Sequence, residues 1–191
     1  MVKLYVFLGN HGREYRDNRH NVAWQFLDSL PISRELSWQR GFKGRWAASD
    51  TSAGKTWFLV PETYMNLSGD SAAELARFYK IEPTEILVIH DELELGFGFF
   101  GFKKGGGLGG HNGLRSMKER LGTPDYLRLR FGIGRPNHPD VAGWVLSDFS
   151  ADEKEILGCS IFPRAATAFS LCMDQGFDDA FTKYQKYNAL D

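Results

Sequence analysis

The chain has 191 residues, of which 42% are hydrophobic and 25% charged, and its formal net charge is −1. This length suits one domain with a sizeable core, and the composition excludes a disordered or collagen-like chain. The apolar start is too short for a signal peptide or a membrane span, and two cysteines without metal-type spacing predict packing residues in a reduced, cytoplasmic setting.

Charge is distributed unevenly along the chain. Residues 101–136 contain eight lysines and arginines against two acids, whereas residues 148–191 contain eight acids against four bases. A basic middle and an acidic tail fit either a polyanion bound on one side or ordinary solvated faces, and charge alone leaves both open.

The first third of the chain predicts a strand, a helix and a strand pair. Residues 3–8 form the first strand, and a helix with Val22 and Phe26 on its apolar stripe follows a polar segment. Asn18 is a candidate cap for that helix, which places His20 in the first turn. Residues 42–48 and 56–60 read as two strands around a turn at 51–54.

A second helix is predicted over residues 71–80, capped by Ser68 or Asp70. Met65 and Asn66 then lie in the loop between the preceding strand and this helix.

The central stretch is the most informative one. Residues 86–90 read as a buried strand that delivers His90, Asp91 and Glu92 to its carboxyl end, where open α/β sheets place their chemistry. A flexible, glycine-rich crossing with Lys103 and Lys104 follows. It ends at His111 and Asn112, at the mouth of an amphipathic helix over residues 114–121.

The last third predicts one strand and two helices. Residues 126–133 alternate, so that Arg128 and Arg130 share a polar face opposite an apolar one. Residues 144–146 are too few to classify, and residues 151–172 predict a long helix interrupted at Pro163. Gly176 separates it from a terminal helix. Residues 1–191 therefore predict one α/β domain with a twisted, mostly parallel but mixed sheet flanked by helices.

Several common motifs fail. The G-x-G-x-x-G pattern at 105–110 does not directly follow a strand, and Arg130 stands where a ribose-binding acid is needed. The chain has no P-loop, its Gly69–Ala73 stretch lacks the closing glycine of a serine nucleophile elbow, and it has no HExxH or paired CxxC. Four residues could gather round a metal without any supporting local spacing, so no metal is expected: His20, His90, Asp91 and His111.

What remains is a set of polar residues at strand ends and helix starts: Asn10, His20, Asn66, Asp91, His111 and Asn112. A histidine with a carboxylate is the minimal general-base pair, because the carboxylate fixes the tautomer and stabilises the imidazolium. Asparagine amides can orient a substrate and steady an oxyanion. No serine or cysteine nucleophile suggests itself, so direct attack by water is the simpler chemistry.

Long motifs in this chain resemble those of bacterial-type peptidyl-tRNA hydrolases. They are N-x-G-x-x-Y-x-x-x-R-H-N at 10–21, P-x-T-Y-M-N-L-S-G at 61–69, H-D-E-L at 90–93, G-G-G-x-G-G-H-N-G-L at 105–114, R-L-R-x-G-I-G at 128–134 and W-V-L at 144–146. Their order and spacing fit, and the similarity spans nearly the whole chain.

The resemblance implies hydrolysis of the ester between a peptide and the 3′-terminal ribose of tRNA, by a monomeric, metal-free enzyme with a single α/β domain. A cytoplasmic location and no membrane partner are also expected. It implies that His20 activates water and that Asp91 orients and polarises His20. Asn10, Asn66 and Asn112 would hold the peptide main chain, the ester and the water.

The same resemblance implies further contacts. Met65 lines the peptide groove, Tyr64 and His111 contribute to substrate binding, and Tyr15 stacks near the terminal adenosine. The tRNA phosphates would meet four basic residues: Lys103, Lys104, Arg128 and Arg130.

The chain departs from the family pattern at five positions: His11, Asn18, Ala23, Gly101 and Leu108. None removes a proposed catalytic side chain. The alternative from another class is a non-catalytic RNA-binding protein on the same scaffold, which would explain the basic middle equally well. Joint retention of the histidine, the aspartate and the three asparagines favours the enzyme.

Overall fold

The strands form one mixed sheet. A computed structural model describes residues 1–51 and 54–191, and its strands are β1 (Leu4–Phe7), β2 (Gln39–Gly41), β3 (Gly44–Thr51), β4 (Gly54–Pro61), β5 (Ile86–Glu92), β6 (Phe99–Lys104), β7 (Leu127–Gly132) and β8 (Tyr187–Asn188). Their order is β2-β3-β4-β1-β5-β7-β6-β8. The central strands β4, β1, β5 and β7 are parallel, and the flanking strands pair antiparallel. The predicted single α/β domain with a mixed sheet is confirmed.

Helices cover both faces of the sheet. They are α1 (Val22–Ser29), α2 (Ile32–Glu35), α3 (Ser68–Phe78), α4 (Asn112–Leu121), α5 (Val141–Val145), α6 (Ala151–Ile156), α7 (Phe162–Gln175) and α8 (Phe177–Lys183). Strand β1 shows how the two layers arise, because successive side chains point to opposite faces. Tyr5 and Phe7 pack with α1 and α7. Leu4 and Val6 pack with α3 and α4 on the other face.

The glycine-rich crossing is partly a strand. Lys103 and Lys104 end β6, so the prediction that they lie in a flexible loop is wrong. Gly101 has a packing reason, since a Cβ there would stand 2.2 Å from the carbonyl oxygen of Gln185. Glycine here admits the C-terminal segment against β6 and does not mark a turn.

The helix predicted over residues 71–80 begins earlier, at Ser68, and the structure shows no cap from Ser68 or Asp70. A 3-10 turn, Met65–Leu67, leads straight into α3, and the Ser68 hydroxyl donates to the Met65 carbonyl (2.8 Å). Asn66 therefore sits in helical backbone and not in a free loop. The predicted turn at 51–54 includes Ser52 and Ala53, which lie outside the described residues.

The long C-terminal helix is interrupted just before Pro163, and Pro163 itself lies in the first turn of α7. A π-helical turn, Leu157–Ile161, separates α6 from α7, because proline lacks the N–H that a regular α-helix needs. By length and composition alone the run Ala151–Gln175 could cross a membrane. Its apolar stripe instead packs on the sheet, where Phe169 meets Tyr5 edge-on at 5.0 Å.

The remaining predictions differ at their edges. Residues 144–146, too few to classify, lie at the end of α5 and just beyond it. The terminal helix ends at Lys183, and the tail then adds β8 to the edge of β6.

Candidate active site

The ends of three neighbouring strands supply the predicted site residues. Asn10 follows β1, Met65 follows β4, and Asp91 lies near the carboxyl end of β5. Because these three strands are adjacent and parallel, their carboxyl ends meet at one edge of the sheet.

Two histidines converge on Asp91. The Oδ1 atom of Asp91 lies 2.8 Å from Nδ1 of His20 and 2.9 Å from Nε2 of His111, and the two imidazole rings are 4.7 Å apart. All three side chains are buried or nearly so. Residues 71 and 20 positions from Asp91 in the chain thus form one hydrogen-bonded cluster.

The hydrogen bonds assign the tautomers. His111 is the N-cap of α4, and its Nδ1 accepts from the backbone N–H groups of Gly113 (3.1 Å) and Leu114 (3.3 Å). Its proton must then lie on Nε2, which donates to Asp91. His20 likewise donates from Nδ1, so neutral His20 keeps an unprotonated Nε2. That nitrogen can accept a proton.

Asp91 stays ionised despite its burial. Burial alone raises the pKa of a carboxyl group, but the N–H groups of His20 and His111 hold the pKa of Asp91 well below its usual range. Both ring nitrogens of His111 are hydrogen-bonded within the protein, and its role in substrate binding stays a prediction.

The three residues of the cluster are also of types that bind metal ions. Potential ligand atoms of His20, Asp91 and His111 lie within 4.8 Å of one another. The Nε2 of His111 would have to lose its proton to bind a metal, although its Nδ1 already accepts two amide hydrogens. Both histidines also direct N–H groups at the same carboxylate oxygen. The donor set fits a hydrogen-bonded cluster better than a metal centre.

Asn10 is held by hydrogen bonds to Met65 and Asn21. Its Oδ1 accepts from the backbone N–H of Met65 (2.7 Å). The side chain of Asn21, fully buried, accepts from the Asn10 N–H and donates to the Asn10 carbonyl, both at 2.9 Å. These bonds leave Nδ2 of Asn10 as the available donor. Sequence reasoning missed the role of Asn21, whose only signal was its place in the Arg-His-Asn run.

A cavity of about 190 Å³ opens at the cluster. His20, Asp91 and His111 contribute to its wall, together with Glu92 and residues of α5. His90 also lines it, although its Nδ1 lies 2.6 Å from the Asp91 carbonyl oxygen and its Nε2 has no hydrogen-bond partner. Burial lowers the pKa of His90 well below the usual value, so this imidazole is neutral.

Arg19 ties the His20 turn to the segment after α5. Its buried guanidinium stacks over Trp144 at 3.9 Å, pairs with Glu153 at 2.7 Å and donates to the Asp148 carbonyl. The predicted cap Asn18 makes no cap bond, because its side chain donates to Asp148 instead (2.6 Å). His20 still lies in a 3-10 turn that leads directly into α1. Sequence reasoning did not identify the Arg19 clamp.

The predicted substrate residues lie around this edge with different exposure. Tyr64, Asn66 and Asn112 are exposed, Tyr15 is half-buried, and Met65 is buried. The sulfur of Met65 packs so closely on α4 that a Cβ at Gly113 would stand 2.5 Å from it. Their roles toward substrate stay predictions.

Arg128 does not lie on a solvent-facing strip. It is fully buried, and its guanidinium donates to the carbonyls of Gly105 (2.6 Å), Gly106 (2.6 Å) and Gly107 (2.8 Å). The prediction that it meets tRNA phosphates is wrong, because the glycine-rich segment folds over this face of β7. Arg128 instead holds the segment that leads to His111.

The other predicted phosphate contacts are only partly free. Arg130 is half-buried and donates to the Gln185 carbonyl at 3.1 Å. Lys103 is half-buried beside it, and burial and the charges of Arg128 and Arg130 lower its pKa. Lys104 is exposed and pairs with Asp178 at 2.6 Å.

Comparison with known proteins agrees with this geometry. A family model described as peptidyl-tRNA hydrolase matches residues 4–190. A peptidyl-tRNA hydrolase of Delftia acidovorans is 47% identical over 166 residues, covering 84% of this chain and 79% of the relative. One of Treponema pallidum is 46% identical over 188 residues, covering 95% and 91%.

Solved structures give the same result. The crystal structure of peptidyl-tRNA hydrolase from Acinetobacter baumannii is 34% identical, with a TM-score of 0.86 over 96% of each chain. Sequence and three-dimensional similarity thus agree over almost the full length. The chain belongs to the peptidyl-tRNA hydrolase family.

Proposed function

We propose that the chain hydrolyses the ester bond between the peptide and the 3′-terminal ribose in peptidyl-tRNA, releasing free tRNA and peptide. The observation that carries this proposal is His20, bonded through Nδ1 to ionised Asp91 at the wall of a cavity. Membership of the family supports the choice of substrate.

His20 acts as the general base. Its Nε2 takes a proton from water as the water oxygen attacks the ester carbonyl carbon, which gives a tetrahedral oxyanion. When the C–O bond to ribose breaks, the imidazolium returns the proton to the departing ribose oxygen. The products are a peptide carboxylic acid, which ionises, and a tRNA with a free terminal hydroxyl.

Asp91 makes this proton transfer favourable. An ionised carboxylate against Nδ1 holds the ring in one tautomer and stabilises the positive charge that forms on it. His111 donates a second hydrogen bond to the same oxygen (2.9 Å) and fixes the direction of the carboxylate.

Asn10 stabilises the oxyanion. Its Oδ1 is occupied by the Met65 N–H, so its Nδ2 is the side that faces a substrate as a donor. Asn66 and Asn112, both exposed, hold the peptide main chain and the water. Met65 and Tyr64 line the peptide groove, and Tyr15 stacks on the terminal adenosine.

The tRNA is bound in part by Lys103 and Arg130, which come from the paired strands β6 and β7. The enzyme works as a cytoplasmic monomer, without a metal and without a membrane partner. The burial of the apolar stripe of α7 in the core supports the last point.

One assay tests the proposal against a non-catalytic RNA-binding protein. Purified protein is incubated with an N-acylated aminoacyl-tRNA, and release of free tRNA is followed with and without exhaustive chelation. We expect multiple turnovers in both conditions, and none from the His20→Ala variant purified in parallel. Binding without turnover would favour the RNA-binding alternative, and activity restored by zinc or manganese after chelation would favour a metal-dependent reaction.

A further inference from the structure

A second charged surface lies beside the active site, on the side away from Lys103 and Arg130. It is an open groove of about 930 Å³. Its wall contains five lysines and arginines, namely Arg13, Arg16, Arg40, Arg45 and Lys154. We call this surface the arginine groove.

The arginine groove is continuous with the catalytic edge. Its lining begins at His11 and Gly12, directly after Asn10, and the His11 N–H donates to the Thr63 carbonyl at 3.2 Å. Gly12 has a φ of 133°, a backbone conformation that favours glycine, and this turn redirects the chain into the 3-10 turn Arg13–Tyr15.

Not all of the charge in the arginine groove is neutralised locally. Lys154 pairs with Asp17 (3.0 Å) and Arg40 pairs with Glu62 (3.3 Å). Asp28 is the remaining acid of the groove wall.

Arg13, Arg16 and Arg45 supply the excess. Among the residues that the structure describes, the guanidinium groups of Arg13 and Arg16 make no ion pair or hydrogen bond, and both side chains are exposed. Arg45 is half-buried and stacks at 5.3 Å over Trp38. Arg13 and Arg16 flank one 3-10 turn, and a spacing of three residues puts them on the same side of it.

We propose that the arginine groove binds the phosphodiester backbone of the tRNA part of the substrate. This inference rests on the proposed function and deepens it. Guanidinium forks match phosphate oxygens in geometry and charge.

The alternative occupant is the peptide part of the substrate. Its sequence varies from one substrate to the next, so its binding surface has to recognise the main chain. A fixed excess of arginines fits a polymer that carries one negative charge at every repeat.

The topology gives this surface a distinct place. The catalytic residues lie over β4, β1 and β5, Arg40 and Arg45 come from β2 and β3 on one side, and Lys103 and Arg130 come from β6 and β7 on the other. Along the strand order, the two basic surfaces therefore lie on opposite sides of the catalytic strands.

The test measures binding of deacylated tRNA as a function of KCl concentration. The Arg13→Gln/Arg16→Gln variant is compared with the matched control Arg34→Gln/Arg77→Gln, which removes the same charge from exposed residues outside the groove. An Arg13→Lys/Arg16→Lys variant keeps the charge. Thermal melting confirms that all variants are folded.

We expect the groove variant to reduce the log–log salt slope by roughly two and to weaken binding by on the order of tenfold or more at low salt. The lysine variant should stay near the wild-type slope, and so should the matched control. Hydrolysis of a peptide esterified to a lone adenosine should be unchanged in the groove variant.

A groove variant with the same salt slope as the matched control would overturn the proposal. Unchanged tRNA binding with a selective loss of activity on acidic peptides would also overturn it, and would assign the arginine groove to the peptide. Failure of the proposed function is separate, because it shows as absent turnover in the wild type while the tRNA-binding comparison can still be made.

Discussion

The Asp91 cluster and the basic residues of β6 and β7 were both predicted from sequence patterns, but the structure treats them differently. The basic residues are Lys103, Lys104, Arg128 and Arg130. At the cluster, a carboxylate and two imidazoles have complementary donors and acceptors, and the structure joins them within 2.9 Å. On β7, Arg128 donates hydrogen bonds to three backbone carbonyls and is buried instead of facing solvent. A pattern of charge indicates a face of a strand, but it does not say what covers that face.

The largest expected effect is the loss of the base. His20→Ala should reduce kcat for peptidyl-tRNA by about 10²–10⁴-fold, the usual cost of removing a positioned general base. Single-turnover kinetics would measure it, with His138→Ala as the control because His138 is exposed and does not line the cavity. A variant with near-full activity would remove His20 from the mechanism.

Asp91→Asn tests whether the carboxylate works through His20. We expect a loss of kcat equal to or smaller than that of His20→Ala, because the imidazolium loses its stabilising charge. The double variant should be no slower than His20→Ala alone, since residues that act as a unit are not additive. All three variants are compared by kcat on the same substrate. If the loss in the double variant equals the product of the two single losses, Asp91 has a role independent of His20.

Arg128→Met and Lys103→Met test the difference between the fully buried Arg128 and the half-buried Lys103. Arg128→Met leaves up to three carbonyls without a donor and should lower the free energy of unfolding by about 1–3 kcal/mol per unsatisfied group, with no change in the salt slope of tRNA binding. Lys103→Met should reduce that slope by roughly one with little change in stability. Urea unfolding and salt titrations measure the two properties. A reduced slope in Arg128→Met would restore its predicted phosphate contact.

The smallest expected effect separates His90 from the other two histidines of the cavity. Burial lowers the pKa of His90. At mildly acidic pH the imidazole is therefore protonated in the unfolded chain and neutral in the folded chain. The free energy of unfolding is therefore unaffected by His90 above its unfolded pKa of about 6.5. Below that pH it falls by at most about 1.4 kcal/mol per pH unit. His90→Asn should flatten the profile between about pH 5 and pH 7. An equally steep profile in the variant would assign the acid sensitivity to another group.

Local pattern was sufficient for most elements of the fold. The apolar run of β5, the alternation in β7 and the stripe of α7 predicted those elements, because burial of one face leaves a period in the sequence. Strand β6 was missed because Gly101 and the glycines after Lys104 resemble a loop. Only the approach of Gln185 shows that Gly101 makes room for another segment.

For the site, the sequence by itself determined which chemistry was available: one histidine base, one carboxylate and amides at strand ends. The tertiary structure decided how each group is used, since hydrogen bonds join residues far apart in the chain. In the folded chain His111 is hydrogen-bonded to Asp91 and to the first turn of α4, Asn21 to Asn10, and Arg128 to the glycine-rich segment. The residue type fixes which donors and acceptors a side chain carries. Its hydrogen-bond partners depend on which backbone groups the fold leaves unpaired beside it.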